Sequence, residues 1–218
     1  MVEGDALHGW IARCEAGEAK ALGERTGLWR VPDPDGDVVV KRFAPRGGLA
    51  ALGERLFGSR PAARADRAAR ELSELGIPVP EPLGWATVGS HDYLVTRFVD
   101  GVPPGVKLPP RMAQAAGTFV GKLHAAGFLH GDLQLENALR TVDDWVLLDL
   151  DRAKRSRRQP PRADRARELA TLFRSATAHD PVRFAVWGHF LRGYCRETHE
   201  WEPAQRKALT RAALRRLG

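Results

Sequence analysis

The chain has few cysteines, few lysines and no long apolar run. Among its 218 residues there are two cysteines, Cys14 and Cys195, at opposite ends. Two thiols so far apart build neither a disulfide framework nor a paired zinc motif, so both are expected to be reduced and buried. No stretch approaches the roughly 20 apolar residues that a membrane span needs. The first residues, MVEGDALHGW, lack the basic start and apolar stretch of a secretory signal, which predicts a cytoplasmic protein. There is no internal repeat and no low-complexity linker. What remains is a soluble globular balance, 43% hydrophobic and 28% charged, long enough for one compact domain or two small lobes.

Lysine and arginine total 34 against 27 acids, a net charge of +7. A basic surface favours anionic partners such as nucleic acid, phospholipid head groups or a phosphorylated substrate. Only six of the 34 are lysine, and alanine, glycine and arginine are abundant throughout. A GC-rich coding bias accounts for part of that excess without any chemistry.

Leu7, Trp10, Ile11 and Cys14 have helical spacing. A hairpin follows: Gly27–Val31, a turn at Asp33-Pro34-Asp35-Gly36, and Val38–Phe43. Beyond a Gly/Arg-rich connection, a helix is predicted from Pro61 to Gly76, with proline near its start and glycine at its end. Two strands are predicted near Leu83–Val88 and Tyr93–Val99. From about Asp100 the pattern turns helical. Pro109 and Pro110 open a helix that runs to Gly127. A polar loop, His130–Asn137, precedes strands at Ala138–Arg140 and Trp145–Leu150. Helices are predicted at Arg162–Ala178, Val182–Glu197 and Pro203–Leu217. A sheet-rich first half and a helical second half predict an α+β chain of two lobes, 1–99 and 100–218.

The informative stretch is His130-Gly131-Asp132-Leu133-Gln134-Leu135-Glu136-Asn137, followed by Leu148-Asp149-Leu150-Asp151. Phosphoryl transfer needs a carboxylate near the acceptor hydroxyl and oxygen ligands for Mg²⁺ on the phosphates. Mg²⁺ takes a few carboxylate or carbonyl oxygens and keeps water. An Asp and an Asn five residues apart on a loop, with a second Asp at the end of a strand, supply such a set. Lys41, at the end of Val38-Val39-Val40, can reach the α and β phosphates.

At these residues the chain resembles the protein-kinase-like superfamily. His130-Gly131-Asp132 with Asn137 is similar to its catalytic loop, Asp149 to its metal-binding segment, and Val-Val-Val-Lys41 to its lysine strand. Leu123-His124 through Gly127 to His130-Gly-Asp132, Leu148-Asp149-Leu-Asp151-Arg152-Ala153, and Gly76-Ile-Pro78-Val-Pro80-Glu-Pro82 resemble the lipopolysaccharide core (Kdo/heptose) kinases. The resemblance runs from about Val38 to Ser175. It implies a two-lobed kinase-like fold, with ATP and Mg²⁺ as cofactors. It further implies that Asp132 accepts or orients the acceptor proton, that Asn137 and Asp149 hold Mg²⁺, and that Lys41 holds the α/β phosphates. Arg97 to Val99 become the hinge for adenine, with Val39 and Leu139 sandwiching its ring, and His130 braces the loop. Gly23-Glu24-Arg25-Thr26-Gly27 keeps two of the glycines of a phosphate loop. The acidic helix partner of Lys41 is expected at Asp66, with Glu71 as the alternative. Gly131 stands where regulated protein kinases carry arginine.

The plainer readings make Asp132 and Asn137 loop caps, Lys41 a solvated strand lysine, and His124 a packed residue bonded to backbone. Arg152, Lys154, Arg155, Arg157, Arg158, Arg162, Arg165 and Arg167 are set against a single acid, Asp164, and would form a solvated face. Directly after the metal-binding Asp, the same run suits a sugar on an anionic lipid. The expected acceptor is therefore an anionic sugar or glycolipid at the inner-membrane surface, and no nucleic-acid motif is present. The alternatives are a soluble small-molecule phosphotransferase of aminoglycoside or choline kinase type, an atypical protein kinase, or a scaffold without turnover.

Overall fold

The structure is a computed structural model describing residues 4–22, 27–44, 60–102, 109–142, 144–179 and 184–199, with 202, 204, 207–209 and 211 beyond them. The chain divides into two compact units. One is Met1–Ser73 with Val79–Asp100; the other is Glu74–Pro78 with Gly101–Gly218.

In the first unit, α1 (Gly4–Glu15) buries Leu7, Trp10, Ile11 and Cys14, the four residues at helical spacing. They pack on an antiparallel sheet of order β1-β2-β3-β5-β4. Its strands are β1 (Lys20–Ala21), β2 (Leu28–Val31), β3 (Val38–Phe43), β4 (Pro82–Val88) and β5 (His91–Arg97). The β2–β3 turn closes with the Gly36 N–H donating to Asp33 O at 3.0 Å, and Gly36 holds φ at +110°, where side chains are strained. Two side chains tie α1 to the sheet: Trp10 Nε1–H donates to Asp33 Oδ2 at 2.9 Å, and Tyr93 O–H to Glu15 Oε1 at 2.8 Å.

Strand alternation divides the residues of this sheet between its two faces. Val38, Val40, Tyr93 and Val95 are buried in the core with α1. Val39, Lys41, Leu94 and Thr96 lie on the opposite face, Val39 opposite Thr96 and Lys41 opposite Leu94. After the sheet's first three strands comes α2 (Pro61–Glu74), which buries Ala62, Ala65, Ala68, Ala69 and Leu72, and Asp66 with them.

The second unit begins its helical part with α3 (Pro110–Ala125). Then come β6 (Phe128–Leu129), β7 (Ala138–Arg140), β8 (Trp145–Leu147), β9 (Lys154–Arg155), α4 (Arg162–His179) and α5 (Phe184–Glu197). β7 and β8 form a hairpin, and β6 pairs with β9. Helices α3 and α5 approach backbone to backbone. A Cβ on Gly117 would stand 1.9 Å from Phe190 O, and one on Gly193 2.1 Å from Gln114 O. Only glycine permits that contact.

Two strand ends differ from the expected ones. β5 ends at Arg97, with one further in-register bond beyond it, the Phe98 N–H donating to Asp37 O at 2.8 Å. β8 stops at Leu147, since Asp149 turns into the left-handed region at φ 59°, ψ 62°. The β6–β9 pair was not expected at all. The glycine segment Gly23–Thr26, residues 45–59, the start of the Val182 helix and most of Pro203–Leu217 lie outside the described residues.

Candidate active site

In the second unit, α4 holds the loop His130–Asn137 at two places. Glu168 accepts the backbone N–H of His130 at 3.1 Å and that of Gly131 by a short hydrogen bond. Two turns further along, Ser175 Oγ accepts the Leu135 N–H at 2.9 Å. His130 is fully buried, and its Nε2 lies 2.7 Å from Leu148 O. A carbonyl only accepts, so Nε2 carries the proton and Nδ1 accepts the Asp132 N–H at 3.3 Å. One imidazole thus ties the loop to the segment that leads into Asp149. Gly131 has φ +84°, and a Cβ there would lie 2.4 Å from Arg152 O. The arginine of regulated protein kinases has no room at this position.

These constraints present Asp132, whose side chain is one-third exposed. Gln134 Nε2–H donates to its Oδ1 at 2.7 Å, and Arg152 Nη1 stands 3.8 Å from Oδ2. Asn137 Nδ2–H donates to the Asp132 carbonyl at 2.8 Å. That bond fixes the amide orientation and turns Asn137 Oδ1 away from the carbonyl as an oxygen donor. The Leu148 N–H donates to Asn137 O at 2.8 Å, so Asn137 and Asp149 are linked through one backbone bond and one residue. A non-glycine residue in the left-handed region stores strain of about 1–3 kcal/mol, and such residues cluster at functional sites. Asn137 and Asp149 offer hard oxygen, the set that Mg²⁺ accepts with water completing its shell. Among the described residues there is no group of three or more His, Cys, Asp or Glu placed to hold a metal ion. Leu139 stands on β7 opposite Val146, half-buried, and a Cβ on Gly101 would lie 3.1 Å from its own Cβ.

In the first unit, Val39 and Lys41 share the sheet face away from α1, as described. Lys41 Nζ lies 4.9 Å from the Phe43 ring centroid. Asp66 is buried on α2, and both its oxygens accept from Arg70 of the same helix, Oδ2 from Nε at 2.9 Å and Oδ1 from Nη2 at 3.0 Å. Glu71 is half-buried on the next position. The Arg97 side chain is committed to the β2–β3 turn, donating to Gly36 O at 2.6 Å. The backbone N–H of Arg97 donates to Glu81 O at 2.9 Å and that of Phe98 to Asp37 O. Both amides are thus occupied by neighbouring backbone.

Two sequence expectations need correction. His124 is bonded to side chains as well as packed: its Nε2 lies 2.9 Å from Glu168 Oε2 and its Nδ1 2.8 Å from Tyr194 Oη. Arg165 is no part of a solvated face. It is 4% exposed, donating to Pro160 O at 3.0 Å and to Tyr194 Oη at 3.2 Å, because its position on α4 points inward while Arg162 and Arg167 point out. Glu168, the hub of this network, was missed. Burial pushes its carboxyl up. The hydrogen bond and electrostatic pull of the His124 N–H, then the Gly131 and His130 amides, overcome that and hold it below the ordinary value. A lone glutamate in a helix full of arginines carries no local signal of this role.

The profile of the lipopolysaccharide kinase (Kdo/WaaP) family matches residues 25–212. The chain belongs to that family. It is 32% identical over 170 residues to a 3-deoxy-D-manno-octulosonic acid kinase of Xanthomonas euvesicatoria, covering 70% of this chain and 67% of the relative. It is 30% identical over 173 residues to a probable bifunctional tRNA threonylcarbamoyladenosine biosynthesis protein of Methanocorpusculum labreanum, covering 79% of this chain and 31% of the relative. The chain thus spans about a third of the length of that archaeal protein. Its fold is that of WaaP in complex with acyl carrier protein, with a TM-score of 0.62 at 24% identity over 99% of this chain and 98% of that one. The family is one of kinases, and the fold is shared with a member of that family. No described helix is long and apolar enough to cross a membrane.

Proposed function

We propose that this kinase transfers the γ-phosphate of ATP to a hydroxyl of a sugar on an anionic, lipid-linked envelope glycan such as the lipopolysaccharide core. The observation that carries the reading is the setting of Asp132. Its loop is anchored at both ends on α4, yet its carboxylate stays partly exposed beside Arg152. Exposed cations follow immediately: Lys154, Arg155, Arg157, Arg158 and Arg162. A sugar on a phosphorylated lipid is a polyanion, and each Lys or Arg near an anionic lipid surface adds about 1 kcal/mol.

In this reading Asp132 orients the acceptor hydroxyl and takes its proton as that oxygen bonds to the γ phosphorus, the bond to the β–γ bridging oxygen breaks and ADP leaves. Asn137 Oδ1 and the Asp149 carboxylate hold Mg²⁺, which when bound neutralises charge on the transferring phosphates. Lys41 meets the α/β phosphates, and Val39 and Leu139 flank adenine. Adenine pairs with the Arg97 carbonyl and the Val99 amide at the hinge. The first unit, close to the expected 1–99, is the nucleotide-binding part; the second, close to 100–218, carries loop, metal ligands and acceptor side. The reading places the enzyme at the cytoplasmic face of the inner membrane.

Asp132→Asn tests it. Transfer of label from γ-labelled ATP to a glycolipid acceptor falls by about a hundredfold or more, while ATP binding and thermal stability stay at the wild-type level. Wild-type turnover in Asp132→Asn overturns the loop assignment. The likeness to archaeal tRNA-modification proteins favours a second reading, ATP turnover in the service of a tRNA-modifying partner. Transfer to the glycolipid that tRNA does not alter supports the first reading. ATP hydrolysis stimulated by tRNA and its modifying enzyme, with no transfer to sugar, supports the second.

A further inference from the structure

The buried polar chain behind the loop does not end at Glu168. Arg165, His124, Glu168 and Tyr194 are each at least nine-tenths buried. Arg165 Nη1–H can only donate, so Tyr194 oxygen accepts it at 3.2 Å. Toward a neutral His124 the Tyr194 hydroxyl then donates to Nδ1 at 2.8 Å. His124 Nε2–H donates to Glu168 Oε2 at 2.9 Å, and that carboxylate receives the His130 and Gly131 amides. Tyr194 lies 70 residues from His124, and His124 44 from Glu168. The chain therefore exists only because α3, α4 and α5 meet.

The helix crossing makes the placement rigid. Gly117, Gly121 and Gly193 let the α3 and α5 backbones touch, and a Cβ on Gly121 would lie 2.9 Å from the carbonyl of Tyr194 itself. With backbone against backbone at these glycines, the position of α5 sets where the Tyr194 hydroxyl stands. The ring is also held edge-on to His124, with centroids 5.5 Å apart.

We infer that Tyr194 is a positioning residue for phosphoryl transfer. It acts on Asp132 from α5 through His124 and Glu168, and Arg165 orients its hydroxyl. The inference rests on the catalytic-loop reading above. Removing the hydroxyl takes from His124 Nδ1 its bond to Tyr194, which loosens the imidazole whose other nitrogen aims Glu168 at the two amides. Misplacement of a catalytic group by a fraction of an ångström is felt in kcat rather than in nucleotide affinity.

The experiment compares Tyr194→Phe with Phe190→Leu, a core change one turn away that stacks on Tyr194 but makes no polar link. Two measurements are made: hydrogen exchange at the His130 and Gly131 amides, and turnover of Mg·ATP with water as acceptor. In Tyr194→Phe, exchange at both amides accelerates, and kcat falls about tenfold at unchanged KM for ATP. In a His124→Gln background the same change has no further effect, because the link it acts through is already gone. Phe190→Leu lowers Tm without either change. Unaltered amide exchange in Tyr194→Phe overturns the inference, and so does equal acceleration in Phe190→Leu. Exchange needs no acceptor and no turnover. An inactive wild-type protein therefore sinks the proposed function while the exchange arm still decides the role of Tyr194.

Discussion

Gly193→Ala probes the α3–α5 crossing where ordinary helix propensity predicts the opposite sign. Alanine in a helix interior is worth about 1 kcal/mol over glycine, so propensity alone forecasts a more stable protein. The structure forecasts a less stable one. A Cβ on Gly193 would stand 2.1 Å from Gln114 O, 2.8 Å from Thr118 N and 2.9 Å from Thr118 Oγ1. Two of those atoms are backbone and cannot swing aside. Restoring even a tight 3.4 Å contact to the carbonyl requires the helices to part by about 1.3 Å, the difference between that spacing and the 2.1 Å available. Overpacking of this kind costs about 3 kcal/mol, which leaves a net loss of about 2 kcal/mol after the propensity gain. For a chain of this length that is a fall in Tm of about 4–8 °C. The control lies on the same helix. A Cβ on Gly188 meets nothing within 4 Å, so Gly188→Ala raises Tm. Differential scanning calorimetry on the two variants reads both signs. A Gly193→Ala protein as stable as Gly188→Ala would refute the backbone-to-backbone packing and the rigid placement of Tyr194 built on it.

Glu168 has its carboxyl held below the ordinary value of 4.5 in the folded chain, so it stabilises the fold above about pH 4.5 and that contribution is lost as pH falls through the folded value. Urea titrations of Glu168→Gln therefore show a shallower loss of stability below pH 4.5 than wild type; parallel curves would remove Glu168 from the acid limb. Burial, and secondarily Glu15, push the Cys14 thiol up to about 11, so iodoacetamide at pH 7.5 leaves Cys14 unmodified in the native protein and alkylates it in denaturant, as peptide mapping would read. Changing Arg155, Arg157 and Arg158 to Gln together leaves KM for ATP unchanged and weakens binding to anionic vesicles. That effect shrinks between 0.1 and 1 M salt as the Debye length falls from about 10 Å to about 3 Å; equal vesicle binding at low salt returns the run to a solvated surface.

The sequence by itself determined what depends on neighbours along the chain. Alternation in Val38–Phe43 assigned Val39 and Lys41 to one face and Val38 and Val40 to the other, because strand side chains change sides at every residue. Proline and glycine marked the start of α2 at Pro61 and the end of the α3 segment at Gly127, because they act on their own backbone angles. The spacing of His130, Asp132 and Asn137 was legible for the same reason, since a loop of eight residues closes on itself through the Asn137–Asp132 bond. Tertiary structure alone decided the rest. Arg165 and Arg167 are two positions apart on one helix, and only the packing of α4 against α3 and α5 buries the first and exposes the second. His124 met Glu168 and Tyr194, 44 and 70 residues away, rather than backbone. Asp149 left its strand for the left-handed region, a strained conformation that nothing in Leu147-Leu148-Asp149-Leu150 encodes. At Gly117 and Gly193 the α3 and α5 backbones touch, a contact between segments over 70 residues apart. Hydrogen bonds and close contacts between distant segments carry no periodicity, so composition and spacing leave no trace of them.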